Sequence, residues 1–523
     1  MACRRAEPGR SAPPQRLLYL TRRGELRRPF AQEQAVADLA TRLGFECVAP
    51  ETLSLLDQVR LFAQARGIAG PPGAAFTNLM WAQAGTKVLT LFKEEINGPT
   101  FLDLSFIRGQ QHRWLQGRSL PGFEHTSVVT SPTTSTCGWP SANCAGGRGR
   151  RLQRMTVPFL DLQALYREDA AAYDAAYHRV MNSGRWILGP ELSRFEAAFA
   201  SYCGRRHAVG VGNGLEALRL ALVVAGIGPG DEVIVPAHTF IATWLAVQQC
   251  GATPVPVEPE DGGFNIGPAG VRAALSARTR AVIPVHLYGH AADGPGLEAL
   301  CAEHGLVLIE DAAQAQGARW GERRVGSFGQ LSAFSFYPGK NLGAFGDAGA
   351  VLTDDDELAH ALRQQRNYGS TQRYAHESLG TNSRLDELQA AWLQVRLAKL
   401  DAHNARRSAV AALYAQHLAG VPGLRLPATA PGSQPVWHVY AVQATAREEL
   451  QHFLSECGVE TLVHYPRPVY GFAPFAAHRP AAHTRSDELC AQVLSLPMGP
   501  HLSDAQVMQV CAAVHSFFEA HPA

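Results

Sequence analysis

The sequence predicts an α/β protein, and three observations carry that expectation. Short apolar runs and helical runs alternate from His207 to about Thr353, the order that a mostly parallel sheet covered on both faces requires. An alternating aromatic run, Leu331 to Phe336, stops at Pro338-Gly339 and leaves Lys340 just past its end. Upstream, the apolar run Leu306 to Ile309 ends in Glu310-Asp311. If both runs are parallel strands of one sheet, Asp311 and Lys340 emerge at the same carboxyl edge, where open α/β sheets bind ligands.

A partly buried lysine at a strand end can lose its proton near neutral pH and attack a carbonyl, because desolvation disfavours the ammonium form. The alternative is a solvent-facing turn lysine, the usual fate of lysines. Gly339, Gly343, Gly346 and Gly349 around it let backbone approach a ligand closely, and Ser335 offers a hydroxyl before the turn. One acid and one lysine facing one crevice match the needs of pyridoxal phosphate. The lysine holds the aldehyde as a Schiff base, and the carboxylate keeps the pyridine nitrogen protonated.

The runs E-D-A-A-Q-A-Q-G-A (310–318) and F-S-F-Y-P-G-K-N-L-G-A-F-G-D-A-G-A (334–350) resemble the DegT-type sugar aminotransferases, pyridoxal-phosphate enzymes of the aspartate-aminotransferase fold. The likeness continues through R-N-Y-G-S (366–370) and N-S-R-L-D-E-L-Q-A-A (382–391), and spans about Val157 to the C-terminus in one order. It implies a fold type I transferase, with a mostly parallel seven-stranded sheet, helices on both faces and a small C-terminal α+β domain. It also implies a homodimer with shared active sites.

Composition limits the other functions. Lys and Arg number 47 against 46 Asp and Glu, a net charge of +1, so bulk electrostatics point to neither nucleic acid nor a membrane surface. The ten cysteines form no C-x-x-C pair and have no histidine at metal-ligand spacing, so no metal site is expected and the thiols read as reduced. No apolar stretch approaches the ~18 residues of a membrane span, and the Arg- and Pro-rich start lacks a signal core. A cytoplasmic protein is expected.

Taken in order, residues 16–118 begin with L-L-Y-L-T, a helical run from Ala31 to Leu43, F-E-C-V, a second helix near Leu55 to Ala65, and K-V-L-T-L. This is half of a nucleotide-binding α/β layer. The segment resembles the C-terminal half of glycosyltransferase family 61 in T-R-R (21–23), G-F-E-C-V-A-P-E (44–51) and G-A-A-F-T-N (73–78). It departs from that pattern at Pro72, where the family carries histidine, and the other half of the two-domain fold is not found. Residues 119–154, rich in Ser, Thr, Pro, Gly and Arg, read as a flexible linker. The cofactor-binding large domain is expected over 155–400 and the small domain over 401–523.

An amphipathic helix near Leu165 to Asn182 leads to the loop Ser183 to Pro190, which the resemblance places at the mouth of the site. Trp186 there is either substrate-facing or packed in a plain connection. Asn213-Gly214-Leu215-Glu216 opens a helix whose free amides can bind phosphate, and the resemblance gives that task to Gly214 and Leu215. The strand Glu232 to Pro236 leads to Phe240, the ring-stacking aromatic by resemblance. The run V-I-P-V-H-L-Y-G (282–289) reads as a further strand carrying His286 and Tyr288, each either substrate-side or a satisfied strand-end group.

By the same resemblance Lys340 holds the cofactor, Asp311 faces the ring nitrogen, Gln314 approaches the ring oxygen, Ser335 adds a hydroxyl and Asn367 reaches the phosphate of the neighbouring subunit. The implied reaction transfers an amino group from glutamate to a nucleotide-linked keto sugar, by wording closest to a dTDP-3-keto-6-deoxyhexose, for polysaccharide, lipopolysaccharide or glycoside biosynthesis. Two alternatives stand beside it. One is a bifunctional chain with N-terminal glycosyltransferase activity; the other is a non-catalytic sensor that binds sugar or cofactor in the same fold.

Overall fold

A computed structural model describes residues 15–21, 33–70, 82, 86–92, 111–116, 156–372, 374–479 and 484–521. The tract 73–78, Pro72, the linker 119–154 and Met155 lie outside them. The chain divides into two compact units, Met1–Arg148 and Gly149–Ala523.

The first unit carries a parallel five-stranded sheet in the order β2-β1-β3-β4-β5. Its strands are β1 (Arg16–Leu20), β2 (Glu46–Val48), β3 (Ala65–Gly70), β4 (Lys87–Phe92) and β5 (Gln111–Gln116). Helices Glu33–Arg42 and Leu55–Ala63 lie between strands in the chain, and Ser54 caps the second by accepting from the Asp57 amide at 3.2 Å. Leu18, Leu20, Phe62, Ile68 and Val88 form its core. The anticipated strand–helix alternation is present.

The second unit is built on a seven-stranded sheet in the order β6-β14-β13-β10-β9-β7-β8. These are β6 (His207–Val211), β7 (Glu232–Pro236), β8 (Thr253–Val257), β9 (Thr279–Val282), β10 (Val307–Asp311), β13 (Leu331–Ser335) and β14 (Gly349–Thr353); β11 (Arg319–Trp320) and β12 (Arg323–Arg324) pair outside it. Only β14 runs antiparallel, paired on one side with β13 and on the other with β6. Apolar clusters cover both faces, one around Val209, Leu218 and Trp244, the other around Phe195, Phe199 and Phe334. The near-continuous apolar runs follow from burial on both sides. Because the strands that lead to Gly214 and Phe240 and those that end in Asp311 and Ser335 are parallel, their carboxyl ends share one edge.

Several boundaries differ from the sequence expectation. The run 282–289 is not one strand: β9 ends at Val282, Pro284 lacks an N–H and only an isolated bridge from Val285 to Asp311 follows it, and Leu287–Gly289 forms a single 3₁₀ turn. The helix anticipated from Leu165 to Asn182 is two, Leu162–Glu168 and Ala170–Ser183, parted at Asp169. After Leu385 the chain forms two helices, Glu387–Leu397 and Leu400–Leu418. A three-stranded antiparallel sheet, Leu424–Arg425, Tyr440–Ala444 and Val493–Leu496, packs with helices in the last part of the chain.

The D-E-L motif has a structural task. The fully buried Glu387 carboxylate accepts from the amides of Gly189 at 2.8 Å, Glu191 at 2.9 Å and Leu192 at 2.9 Å, satisfying the first turn of the helix Pro190–Cys203. Among the described residues no helix is long and apolar enough to cross a membrane, and no His, Cys, Asp and Glu cluster could hold a metal ion.

Candidate active site

A cavity of about 1020 Å³ opens at the carboxyl edge of the sheet in the second unit, and Gly214, Leu215, Phe240, Asp311, Gln314, Ser335 and Lys340 all line it. Seven positions read from the sequence therefore meet in one space. The backbone amide of Lys340 donates to the Tyr337 carbonyl at 2.8 Å, and its side-chain amine has no hydrogen-bond or ion-pair partner among the described residues. Burial pulls its ammonium down to about 8, against the opposing pull of Asp311. The amine is thus poised between its two protonation states near neutrality.

Asp311, at the end of β10, accepts from the Thr243 hydroxyl at 2.8 Å and from the Ala313 amide at 3.2 Å. Burial raises its carboxyl above the usual range, while those bonds and Lys340 draw it back down. A cationic ring nitrogen brought beside it would favour the carboxylate further.

At the start of the helix Gly214–Val224, Asn213 accepts from the Glu216 amide at 2.9 Å. The first two helical amides, of Gly214 and Leu215, have no intrahelical acceptor. Ser335, at the end of β13, lies directly opposite Gly214, with no space for a side chain between them. This arrangement of free amides, hydroxyl and helix dipole suits a phosphate.

Gln314 is held by both ends of its amide: Oε1 accepts from the Tyr288 amide at 2.7 Å and Nε2 donates to the Tyr465 hydroxyl at 3.0 Å. Phe240 is half-exposed in the cavity, its ring centroid 5.6 Å from that of Tyr465. These residues fit pyridoxal phosphate: an unpartnered amine for the aldehyde, a buried carboxylate for the ring nitrogen, an aromatic face, and a phosphate cradle that a Cβ at Gly214 would fill.

Four expected residues lie elsewhere. His286 is buried, its Nε2 2.9 Å from Glu310 and its Nδ1 accepting from the Ala292 amide at 3.0 Å. Tyr288 is fully buried with φ 58°, its hydroxyl bonded to His238 at 2.8 Å and to the His464 carbonyl. Neither lines the cavity, which Val285 reaches instead: His286 is turned to Glu310 and Tyr288 to His238, both as satisfied interior groups. Trp186 is 59% exposed on the loop before Gly189, away from the cavity lining. Asn367 is half-buried and accepts from Arg384 at 3.1 Å, also outside it.

Sequence reasoning missed Thr243, Tyr465, His438 and His464, all in the lining. Burial, then Lys340, keep His464 down at about 4 and His438 well below the usual range, with Arg407 also acting on His438. Both rings are therefore neutral near pH 7. The V-H-Y-P-R-P tract (463–468) was the available signal for His464 and Tyr465; a lone threonine at the second position of the helix Ala242–Gln249 gives none for Thr243.

Residues 168–515 match the model of the DegT/DnrJ/EryC1/StrS aminotransferase family. The chain belongs to this family. DegT-family enzymes depend on pyridoxal phosphate, and this chain is a transaminase of that kind. It is 56% identical over 371 residues to the dTDP-3-amino-3,4,6-trideoxy-alpha-D-glucose transaminase of Streptomyces venezuelae, covering 71% of this chain and 98% of that one. Among solved structures, S. venezuelae DesV in complex with a ketimine intermediate matches with a TM-score of 0.69 at 56% identity, over 70% of this chain and 99% of DesV. NtdA from Bacillus subtilis, with bound cofactor PMP, matches with a TM-score of 0.66 at 28% identity, over 71% and 87%. Residues 3–89 match the glycosyltransferase 61 model, outside the DegT region.

Proposed function

We propose that this enzyme aminates the 3-keto group of a dTDP-linked 6-deoxyhexose, with glutamate as amino donor. The observation that carries the reading is the convergence of Lys340, Asp311, Ser335 and Gly214 on one cavity, taken with the dTDP-linked 3-amino sugar in the name of the S. venezuelae relative. Phe159, Leu160, Leu162, Leu462 and Met498 give the same cavity an apolar wall. Such a wall suits sugar carbons stripped of hydroxyls, since a hydroxyl buried there would lack a partner.

Pyridoxal phosphate, when bound, supplies an electron sink and a carrier for the amino group. Lys340 would hold the aldehyde group through Nζ, and its amine, when free, would serve as the general base for the proton on the α-carbon of the donor. Asp311 keeps the ring nitrogen protonated, oriented by the Thr243 hydroxyl and the Ala313 amide. The Gly214 and Leu215 amides and the Ser335 hydroxyl would hold the phosphate, Phe240 would give the ring a flat face, and Gln314 would approach the ring oxygen.

A second copy of the chain completes the site in this reading, with Asn367 reaching across. Its position outside the cavity of its own chain supports this, as do Trp186, Tyr368 and Leu379, large and 59%, 49% and 98% exposed. Residues 155–400 act as the cofactor-holding domain and 401–523 as a smaller one that closes the cavity with His438, Tyr465 and Met498. The N-terminal unit is a docking module or a fusion relic. All seven described cysteines are free, which favours the cytoplasm.

The test is incubation of purified protein with keto sugar nucleotides and glutamate. Formation of 2-oxoglutarate with a dTDP-3-keto-6-deoxyhexose supports the reading; no turnover with that class of sugar overturns it.

A further inference from the structure

Asn341, the residue after Lys340, is buried, and both ends of its carboxamide are engaged. Its Nδ2 donates to the Val436 carbonyl at 3.0 Å and to Asn404 Oδ1 at 2.9 Å, while its Oδ1 lies 3.2 Å from Nδ1 of His438. Asn404 in turn donates from Nδ2 to the Gln316 carbonyl at 2.9 Å. The backbone carbonyls of Val436 and Gln316 accept and never donate, so they fix which end of each carboxamide is the nitrogen. Both hydrogens of Asn341 Nδ2 are then in use, and Oδ1 is an acceptor turned to His438.

The consequence falls on the imidazole. An acceptor facing Nδ1 calls for a hydrogen there, and the ring is neutral near pH 7 because burial, then Lys340, hold it well below the usual range. A neutral imidazole carries one hydrogen. Nε2 of His438 is therefore a bare lone pair, and it has no hydrogen-bond partner among the described residues. His438 lines the same cavity as Lys340. Arg407 Nη1 donates to the carbonyls of both His438 at 3.3 Å and Met498 at 3.4 Å, and the Met498 amide donates to the Phe159 carbonyl at 3.4 Å. His438 thus borders the part of the cavity wall that Phe159, Leu160 and Met498 make apolar.

We propose that Asn341 holds His438 in its Nδ1–H form so that Nε2 accepts a hydrogen bond from a ring hydroxyl flanking the keto carbon of the sugar. The assignment rests on the sugar-aminotransferase reading of the cavity. A bare nitrogen attracts an O–H and repels a carbonyl oxygen, which brings only lone pairs of its own. With the hydrogen on Nε2 instead, the same position would favour the keto oxygen itself. The tautomer therefore bears on which oxygen of the sugar stands at this wall, and Asn341 acts on the substrate only through His438.

The test has two readouts on the cofactor-loaded full chain. The first is nitrogen NMR at pH 7 of protein labelled in histidine, with the His438 signals identified by their loss in H438N. Nδ1 should be protonated and Nε2 bare, and N341A should lose that pattern. The second is single-turnover saturation with a dTDP-3-keto-6-deoxyhexose and with its 2-deoxy and 4-deoxy counterparts, compared with the half-reaction with glutamate. Wild type should need about 10-fold more of one deoxy sugar than of the parent. H438N keeps a donor toward Asn341 but lacks Nε2, so that preference should shrink to within about twofold while glutamate saturation holds. H438Q, which offers an amide oxygen near the place of Nε2, should restore part of the preference. A hydrogen on Nε2 in the wild-type spectrum overturns the proposal, as does a hydroxyl preference that persists in H438N. So does a loss in H438N confined to the glutamate half-reaction, which assigns the nitrogen to the amine of Lys340. If wild-type protein turns over no keto sugar nucleotide, the hydroxyl assignment falls with the sugar reading, while the tautomer, read by NMR alone, stands.

Discussion

A Cβ added to Gly214 would stand 2.6 Å from Cβ of Ser335 and 3.1 Å from its hydroxyl oxygen. The helix start and the strand end thus approach more closely than any side chain at position 214 permits. The contact is with a side chain anchored at the end of a strand, so relief requires moving the helix start away from Ser335 and pulling apart the donors of the phosphate cradle. Gly214→Ala should keep the fold and bind pyridoxal phosphate about 10- to 100-fold more weakly, as read by equilibrium titration of cofactor absorbance. Wild-type affinity would show that the phosphate is held elsewhere.

Lys340 gives a prediction with a defined sign in pH. The neutral amine is the nucleophile, and its fraction rises about tenfold per pH unit until the pH passes about 8. Attachment of cofactor to the apo-protein should accelerate with pH in that proportion and level off above about 8. Borohydride should then fix the cofactor on the peptide containing Lys340; a label on another lysine, or a plateau near pH 10, contradicts the assignment.

For Asp311, the proposed task is electrostatic and separable from binding. Asp311→Asn keeps shape and much of the contact with Thr243 while removing the charge. Cofactor should still attach, but the half-reaction with glutamate should slow by tenfold for each ~1.4 kcal/mol of lost transition-state stabilisation. Normal turnover in single-turnover assays would leave Asp311 a structural acid.

Glu387 makes a prediction about stability instead. Replacing its carboxylate by alanine strands three buried amides at the start of the helix Pro190–Cys203. Glu387→Ala should lower stability by about 2–4 kcal/mol, judged from bonds to a charged acceptor, in chemical unfolding of the cofactor-free protein. Glu387→Gln should fall in between.

The strand ends were legible because a parallel sheet buried on both faces writes its strands as short apolar runs, and the polar residue after each run marks the edge. Asp311, Ser335 and Lys340 were found that way. For His286 and Tyr288 the sequence left two fates open, and the structure gives the interior one: Val285 faces the cavity, and the chain leaves the sheet in the turn Leu287–Gly289. Thr243 and Tyr465 were invisible: Thr243 enters from a helix turn, and Tyr465 meets Gln314 from 151 residues away. Local pattern carries no record of such long-range contacts.

Every cofactor group proposed here lies beyond residue 155, so residues 155–523 alone should fold, dimerise and transaminate. Expression of that fragment checks it. A folded but inactive fragment would show that the N-terminal unit contributes to the chemistry.

The antiparallel β14 gives the molecule an order of assembly. Gly214 follows β6 and Ser335 ends β13, yet these strands are not neighbours; β14 lies between them and bonds to both. A Cβ at Gly349, its first residue, would come within 2.5 Å of the Asn213 backbone, so this strand sets the spacing of the two halves of the cradle. A nascent chain that has not yet delivered Thr353 has no phosphate site, however well its earlier strands have paired. In this reading, cofactor capture should wait for this strand, and a chain that ends before it should not hold pyridoxal phosphate.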